Sequence, residues 1–321
     1  MAAPIASVVI PSLNGGSRFR TCLDAVAAQE LPGGFEIIVI DSGSDDGSAE
    51  LAGQYGRVIR IARAEFNHGL TRNRAIGSAA GRAVALLTQD AVPVGKEWLR
   101  PLVEAALEPG VAGAYSRQVP RPDCPPFIKA RLTRWMAGRT EREVKRLLDE
   151  AELMALPVLE RIRRLSFDNV SSCLRKEAWE KRPFLERRFG EDAAWAREVL
   201  LAGYALVYEP ASVVEHSHAN SLWYEFKRVY LDHRNWREVA GGALFNNPLE
   251  VLQASWNGVG ERWQELGEQD VRGAALWYWR AYALPWSFSQ NAAQFLGARS
   301  MKAARKFKWW ERVDDFLARG V

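Results

Sequence analysis

Four short β-branched runs alternate with helical periodicity in the opening stretch of the chain, and this alternation restricts the fold more than any other feature. Residues 6–10 (ASVVI) and 36–40 (EIIVI) are bounded by turn residues, and between them 17–30 carries Phe19, Leu23 and Val26 at helical spacing, which reads as a β-α-β unit. A third run at 57–61 (RVIRI), a helical stretch at 70–80 and a fourth strand at 83–88 (AVALLT) continue the pattern. The expectation is an α/β fold with a doubly wound, mainly parallel, Rossmann-like sheet. Ligands of such sheets bind beyond the carboxyl ends of the strands, so the loops 11–16, 41–47 and 89–93 carry the interest.

With 321 residues the chain is long enough for one large α/β domain plus an appended segment. A formal net charge of +4 and a pI near 9.0 favour a phosphate-bearing ligand or an anionic surface, and no nucleic-acid module accompanies them. Cys22, Cys124 and Cys173 are odd in number and far apart, forming neither a disulfide framework nor a zinc site. A reducing cytoplasm fits them. The opening MAAPIASVVIPS has no basic leader and its apolar run stops at Pro11, so it reads as a strand, and no uninterrupted apolar run is long enough to predict a membrane span.

From about 121 to 165 a Pro-rich turn leads into a charged helical pattern, read as a mobile or surface helical insertion. Strand and helix alternation returns over 166–218, with SFDNVSSCLRK, a helix around 191–202 and a strand at 205–209. The expected division is a domain over 1–220 and a helical C-terminal subdomain over 221–321, which holds 9 of the 13 tryptophans.

The strand ends VVIPSLNGG and IVIDSGSDDGS put small and polar residues where a nucleotide would sit. Asp41 can accept from a base or ribose, and Asp45 or Asp46 can cap the next helix; a plain turn-and-cap reading competes with both. No GxGxxG is present, which removes the main support for a dinucleotide dehydrogenase. In FNHGLTRNRAIGSAAGRAVALLTQDAVP, Arg72 and Arg74 fall near a helix start and Asp90 follows the fourth strand as a metal-ligand candidate, since a diphosphate needs a cation, an arginine fork or both. Glu191 and Asp192 stand at a helix start, where the dipole favours acids and where a simple cap is the competing reading. His216 and His218 share one face of an extended strand, a spacing that suits metal ligation or two surface histidines.

Taken in order, VVIPSLN, IVIDSGSDDGS, FNHGLTRNRAIGSAAGR, LLTQDAVP, FGEDAAWA and EHSH resemble the family 2 glycosyltransferases with the GT-A fold, in particular the bacterial rhamnosyltransferase-like branch, over about residues 5–235. The resemblance implies that Pro11, Ser12, Asn14, Asp41, Arg72 and Gln89 form the nucleotide pocket and that Asp90 and His218 hold a divalent cation, Mg2+ or Mn2+. It makes Asp192 the catalytic base, with Glu191, His216 and His68 completing the site. The family's Asp-x-Asp element is here Thr88-Gln89-Asp90-Ala91, so Thr88 stands where the first acid is usual. The implied reaction is inverting transfer of a sugar to a glycan or lipid-linked acceptor in cell-surface polysaccharide synthesis. L-rhamnose from dTDP-L-rhamnose is the first choice of donor and a UDP-sugar the alternative.

Residues 221–240 carry apolar side chains at helical spacing, as expected for packing on a neighbour. The stretch 299–310 (RSMKAARKFKWW) combines five cations with three aromatics and no acid, which suits a helix on the cytoplasmic face of an anionic membrane or a basic face of a packed helix; a homodimer contact through the tryptophan-rich tail is the other reading. A nucleotidyltransferase would want a glycine-rich basic loop in place of PSLNGGSR. A non-catalytic sugar-nucleotide binder conflicts with the presence of both Asp90 and Asp192.

Overall fold

The computed structural model describes residues 3–187 and 189–320, except the side chain of Met136; Met1 and Ala2 of the opening MAAPIASVVIPS, Arg188 and Val321 lie outside them. The first half runs β1 (Ala6–Ser12), α1 (Gly16–Ala27), β2 (Phe35–Asp41), α2 (Ser48–Ala52), β3 (Arg57–Arg60), α3 (His68–Gly77), β4 (Ala83–Leu87), β5 (Val92–Pro93), α4 (Leu99–Ala106) and β6 (Val111–Val119). It continues with α5 (Pro126–Arg134), β7 (Glu143–Lys145), α6 (Glu150–Ala155), α7 (Val158–Leu165), β8 (Ser171–Arg175), α8 (Lys176–Lys181), α9 (Glu191–Leu201) and β9 (Ala205–Glu215). Four helices close the chain: α10 (Leu222–Val239), α11 (Pro248–Glu268), α12 (Gly273–Lys306) and α13 (Trp309–Ala318).

The sheet has the order β3-β2-β1-β4-β8-β6-β9-β5, with β7 on β9. From β3 to β4 every pairing is parallel, as the alternating pattern requires. β8 then enters antiparallel to both β4 and β6, so the sheet is mixed beyond that point. The inner strands are buried on both faces, which is why they read as unbroken apolar runs. Phe19, Leu23 and Val26 of α1 fill one face together with Val8, Val39, Leu87 and Trp98. Each such side chain contributes about 1.5–3 kcal/mol through burial.

Two pairings place the site. Ser12 is in register with Asp41, so β1 and β2 end side by side. The short β5 pairs Val92 with Glu215 and Pro93 with Val214 at the far end of β9. That brings the chain just after Asp90 against the chain just before His216, and a hydrogen bond from the His216 N–H to the Val119 carbonyl (3.0 Å) fixes the same end to β6.

The 121–165 segment differs from its sequence reading. Its middle is strand β7, antiparallel to β9, and not part of a helical insertion. The charged pattern concealed this because Lys145, a residue that looks solvent-facing, is buried. Its ammonium donates to the Ser166 carbonyl at 2.8 Å and lies 4.9 Å from the Tyr115 ring, and burial pulls its pKa down to about 7.

The chain divides into two compact units. The first contains residues 3–121, 132–155 and 164–216, the second 122–131, 156–163 and 217–320. The first holds the sheet. The second is helical: α10 and α12 cross so closely that a Cβ on Gly297 would meet the Tyr230 carbonyl at 2.2 Å.

Candidate active site

The loops after β1 and β2 are tied to each other. Asn14 adopts a left-handed conformation (φ 48°), and its N–H donates to Ser44 Oγ (2.9 Å) while its side-chain oxygen accepts from the Asp45 N–H (3.0 Å). Gly15 and Gly16 donate to Ser48 and Asp46, and Asp46 also accepts the Ser48 N–H at the start of α2, where Gly47 and neither acid holds the N-cap position. Asp41 is buried and accepts from the backbone of Gly43 and Ser44 and from the Ser44 hydroxyl. The Gln89 amide bridges the Leu13 main chain, accepting its N–H (2.8 Å) and donating to its carbonyl (3.1 Å). Gln89 therefore holds the loop rather than pointing a free amide outward.

The rim these loops leave has unmet polar groups. Ser12 Oγ, Ser42 Oγ and Thr88 Oγ1, at the carboxyl ends of β1, β2 and β4, are buried with no hydrogen-bond partner among the described residues. A buried polar atom left unpaired costs about 1–3 kcal/mol. Three at the ends of parallel strands mark a surface shaped for a polar ligand, with Pro11 beside Ser12 in β1.

Asp90, His216 and His218 offer one oxygen and two imidazole nitrogens that all lie within 4.8 Å of one another. His216 Nε2 is 3.7 Å from Asp90 Oδ1. The Gln118 amide N–H donates to Asp168, so its oxygen is an acceptor, and it stands 3.1 Å from His216 Nδ1. With Nδ1 facing that acceptor, Nε2 is the ring nitrogen turned toward Asp90, the orientation a metal ligand needs. Arg121, itself buried, bonds the Asp90 carbonyl and lies 3.3 Å from its carboxylate. A carboxylate with two imidazoles is a donor set that fits a divalent cation.

The acidic pair at the head of α9 is asymmetric. Gly190 precedes it in a left-handed conformation and makes no side-chain cap. Glu191 pairs with Arg72 at 3.1 Å, both side chains 7% exposed, and accepts from the Asn169 amide at 3.1 Å. Burial raises the Glu191 carboxyl, but Arg72, His68 and Asn169 outweigh it and hold it below the usual carboxylate range. Asp192 accepts from its own helix at Ala193 (2.7 Å) and faces the Asn169 N–H at 3.5 Å. Burial, then the charges of Glu191 and Asp168, push it well above the ordinary value. Neighbouring carboxylates driven apart in this way are the signature of one group that stays charged and one that takes up a proton. His68, on the turn below, donates nothing to this pair but accepts Arg72 at its carbonyl (3.0 Å), and burial lowers its imidazole pKa.

The sequence reading named Asp90 and His218 as metal ligands and His216 as a further site residue, and the structure brings the three together. It put Arg72 near the nucleotide and its phosphates; in the structure its guanidinium pairs with Glu191. It missed Gln118, Arg121, Asp168 and Asn169. The only available signal was polar residues crowded at the ends of β6 and β8, in RQVPR and FDN. Asn67 and Asn73 of the α3 region donate to the carbonyls of Arg187 and Phe184, fixing the loop that leads into Glu191.

Residues 7–169 match the family model described as Glycosyl transferase family 2. The chain is a family 2 glycosyltransferase. Among its relatives is the O-antigen chain rhamnosyltransferase RfbN of Salmonella typhimurium, 30% identical over 230 residues that make up 70% of each chain. The O-antigen chain rhamnosyltransferase WbaN of Salmonella anatum is 30% identical over 233 residues, 71% of this chain and 70% of its own. The mannosyltransferase PcManGT from Pyrobaculum calidifontis, solved with GDP-Man and Mn2+, superposes with a TM-score of 0.53 at 16% identity, over 99% of this chain and 85% of that one. TarS of S. aureus with UDP-GlcNAc gives 0.52 at 16% identity, over 98% and 89%. These two likenesses establish the GT-A fold of this glycosyltransferase. The family match takes in Asp90 and Asp168 but stops before Asp192, so the acid pair of this glycosyltransferase rests on its own geometry. Among the described residues of the glycosyltransferase, no helix is long and apolar enough to cross a membrane.

Proposed function

We propose that this chain transfers L-rhamnose from dTDP-L-rhamnose, with inversion, to a hydroxyl of a glycan or lipid-linked acceptor in cell-surface polysaccharide synthesis. The sugar is supported by the two O-antigen rhamnosyltransferase relatives that span 70% or more of the chain. The chemistry rests on one observation, the raised proton affinity of Asp192 beside a Glu191 that Arg72 keeps charged.

Asp192 takes the proton of the acceptor hydroxyl as that oxygen forms a bond to the anomeric carbon. The bond from that carbon to the diphosphate oxygen breaks on the opposite face, and the nucleoside diphosphate departs with the electron pair. Ser12, Ser42 and Thr88 supply hydroxyls to the nucleotide side, while Pro11, Asn14 and Asp41 shape it and Gln89 keeps the loop in place. Asp90, His216 and His218 would hold a divalent cation, Mn2+ before Mg2+ given two imidazoles. Bound there, it supplies positive charge against the charge that grows on the leaving diphosphate. Arg72 acts through Glu191.

Calorimetric titration with dTDP, UDP and GDP, each with and without Mn2+ or Mg2+, tests this reading, followed by turnover of dTDP-rhamnose. Metal-dependent preference for dTDP supports it. A preference for UDP keeps the family and discards the sugar, and binding that ignores metal removes the cation from the reading.

A further inference from the structure

We propose that the outer face shared by α11 and α12 docks on an anionic lipid bilayer surface. The inference stands apart from the transfer reaction. It rests on an apolar surface that the helical unit does not use for its own packing.

α11 exposes Leu252, Trp256 and Trp263, and α12 exposes Trp277, Leu284 and Phe288; Trp256 and Trp277 are 71% and 69% exposed. The spacings of four and seven residues put each trio on one stripe of its helix. The stripes adjoin. Asn291 of α12 donates to Ser255 of α11 at 3.1 Å, and the Trp263 indole N–H reaches the Arg280 carbonyl at 3.2 Å. Between them lies an apolar groove of about 700 Å³, floored by Pro285. The opposite face of α12 is the one consumed by the close crossing with α10 at Gly297, so these exposed rings are surplus to the core. Contiguous exposed apolar surface of this kind marks an interaction site.

The charge pattern selects the occupant. All seven charged residues from 271 to 310, the α12 side of the face, are cations, whereas α11 carries Glu250, Glu261, Glu265 and Glu268 against Arg262. Arg280 lies over the Trp263 and Trp277 rings at 5.5 and 5.6 Å, and Arg299 lies over Phe295 at 3.8 Å. Lys302, Arg305, Lys306 and Lys308 are exposed at the end of α12 and just beyond it. The cationic part of the face is therefore its α12 side. An anionic bilayer complements it: indoles settle at the headgroup level and cations meet lipid phosphates. Each cation near such a surface is worth about fivefold in partitioning. The basic stretch 299–310 is thus the electrostatic rim of the surface, and its apolar body lies in α11 and the first half of α12.

The test is co-sedimentation of the full chain with vesicles of phosphatidylcholine alone and of phosphatidylcholine mixed with phosphatidylglycerol. The chain should pellet with the anionic vesicles and remain in the supernatant with the neutral ones. The double variant Trp256→Ser/Phe288→Ser should lose about tenfold or more in binding, and Lys302→Glu/Arg305→Glu a comparable factor, each with an unchanged circular dichroism spectrum. Wild-type protein that stays in the supernatant with both vesicles overturns the proposal. So does a variant that folds and binds as wild type. A wild-type dimer in light scattering that the Trp256→Ser/Phe288→Ser change dissociates would also overturn it, by making this face a subunit interface.

Discussion

The sheet unit brings charges inward and the helical unit turns indoles outward. In the helical unit, buried Glu225 and Glu265 are each met by an arginine of the same unit, Arg131 at 2.8 Å and Arg262 at 2.7 Å. In the sheet unit, Asp168, Glu191 and Asp192 converge, and Arg72 pairs with Glu191. Acids met by arginines in this way hold a fold together. Crowded like charges raise the proton affinity of Asp192, and shifted protons are what a transfer reaction uses. Surplus apolar surface on the other unit points to docking rather than chemistry.

The comparison breaks first at Asp192. Asp192→Asn should lower kcat by about 10²–10⁴-fold with donor affinity kept, and near-normal turnover would falsify its role as base. The wild-type rate should rise with pH through the raised pKa of Asp192, because only the carboxylate accepts a proton. The stability effect has the opposite sense: a carboxyl whose pKa is raised on folding favours the fold at low pH and loses that contribution as pH rises through the folded value. Asp192→Asn should therefore raise Tm at neutral pH and leave it nearly unchanged in acid, which thermal melts at both pH values decide.

Arg72→Met comes next. It strands a buried carboxylate and should cost about 3–5 kcal/mol in denaturant unfolding, with Arg72→Met/Glu191→Leu recovering most of it. A small loss for the single variant would show that Glu191 does not depend on its partner. Glu191 itself is depressed, so its contribution is present at neutral pH and fades as pH falls through its folded pKa.

Gln118→Leu removes the acceptor for His216 Nδ1 and should weaken Mn2+ binding by about 10–100-fold. Unchanged calorimetric affinity would mean that the imidazole orients itself. The smallest effect belongs to the helical unit. Trp256→Ser should alter unfolding free energy by no more than about 0.5 kcal/mol, since the ring is largely exposed; a larger loss would make Trp256 part of the core.

The strands β1 to β4, the helix α1 and the positions of Asp41, Asp90 and Asp192 at element ends were legible in the sequence, because local apolar periodicity dictates which face is buried and turn residues mark where the chain exits the sheet. The same logic failed at β7. There a lysine on a three-residue strand imitates a solvent-facing helix, and only pairing with β9 and the Tyr115 ring buries it. Asp90 and His216 were both named from local motifs, yet their meeting depends on the two-residue pairing of β5 with the end of β9. The roles within Glu191-Asp192 have the same origin. Two adjacent acids are nearly equivalent in a sequence, and proton affinity is decided by burial and by charges that come from elsewhere in the chain. Arg72 and His68 from α3 hold Glu191 charged, while Asp168 before β8 adds to the burial and the Glu191 charge that raise Asp192.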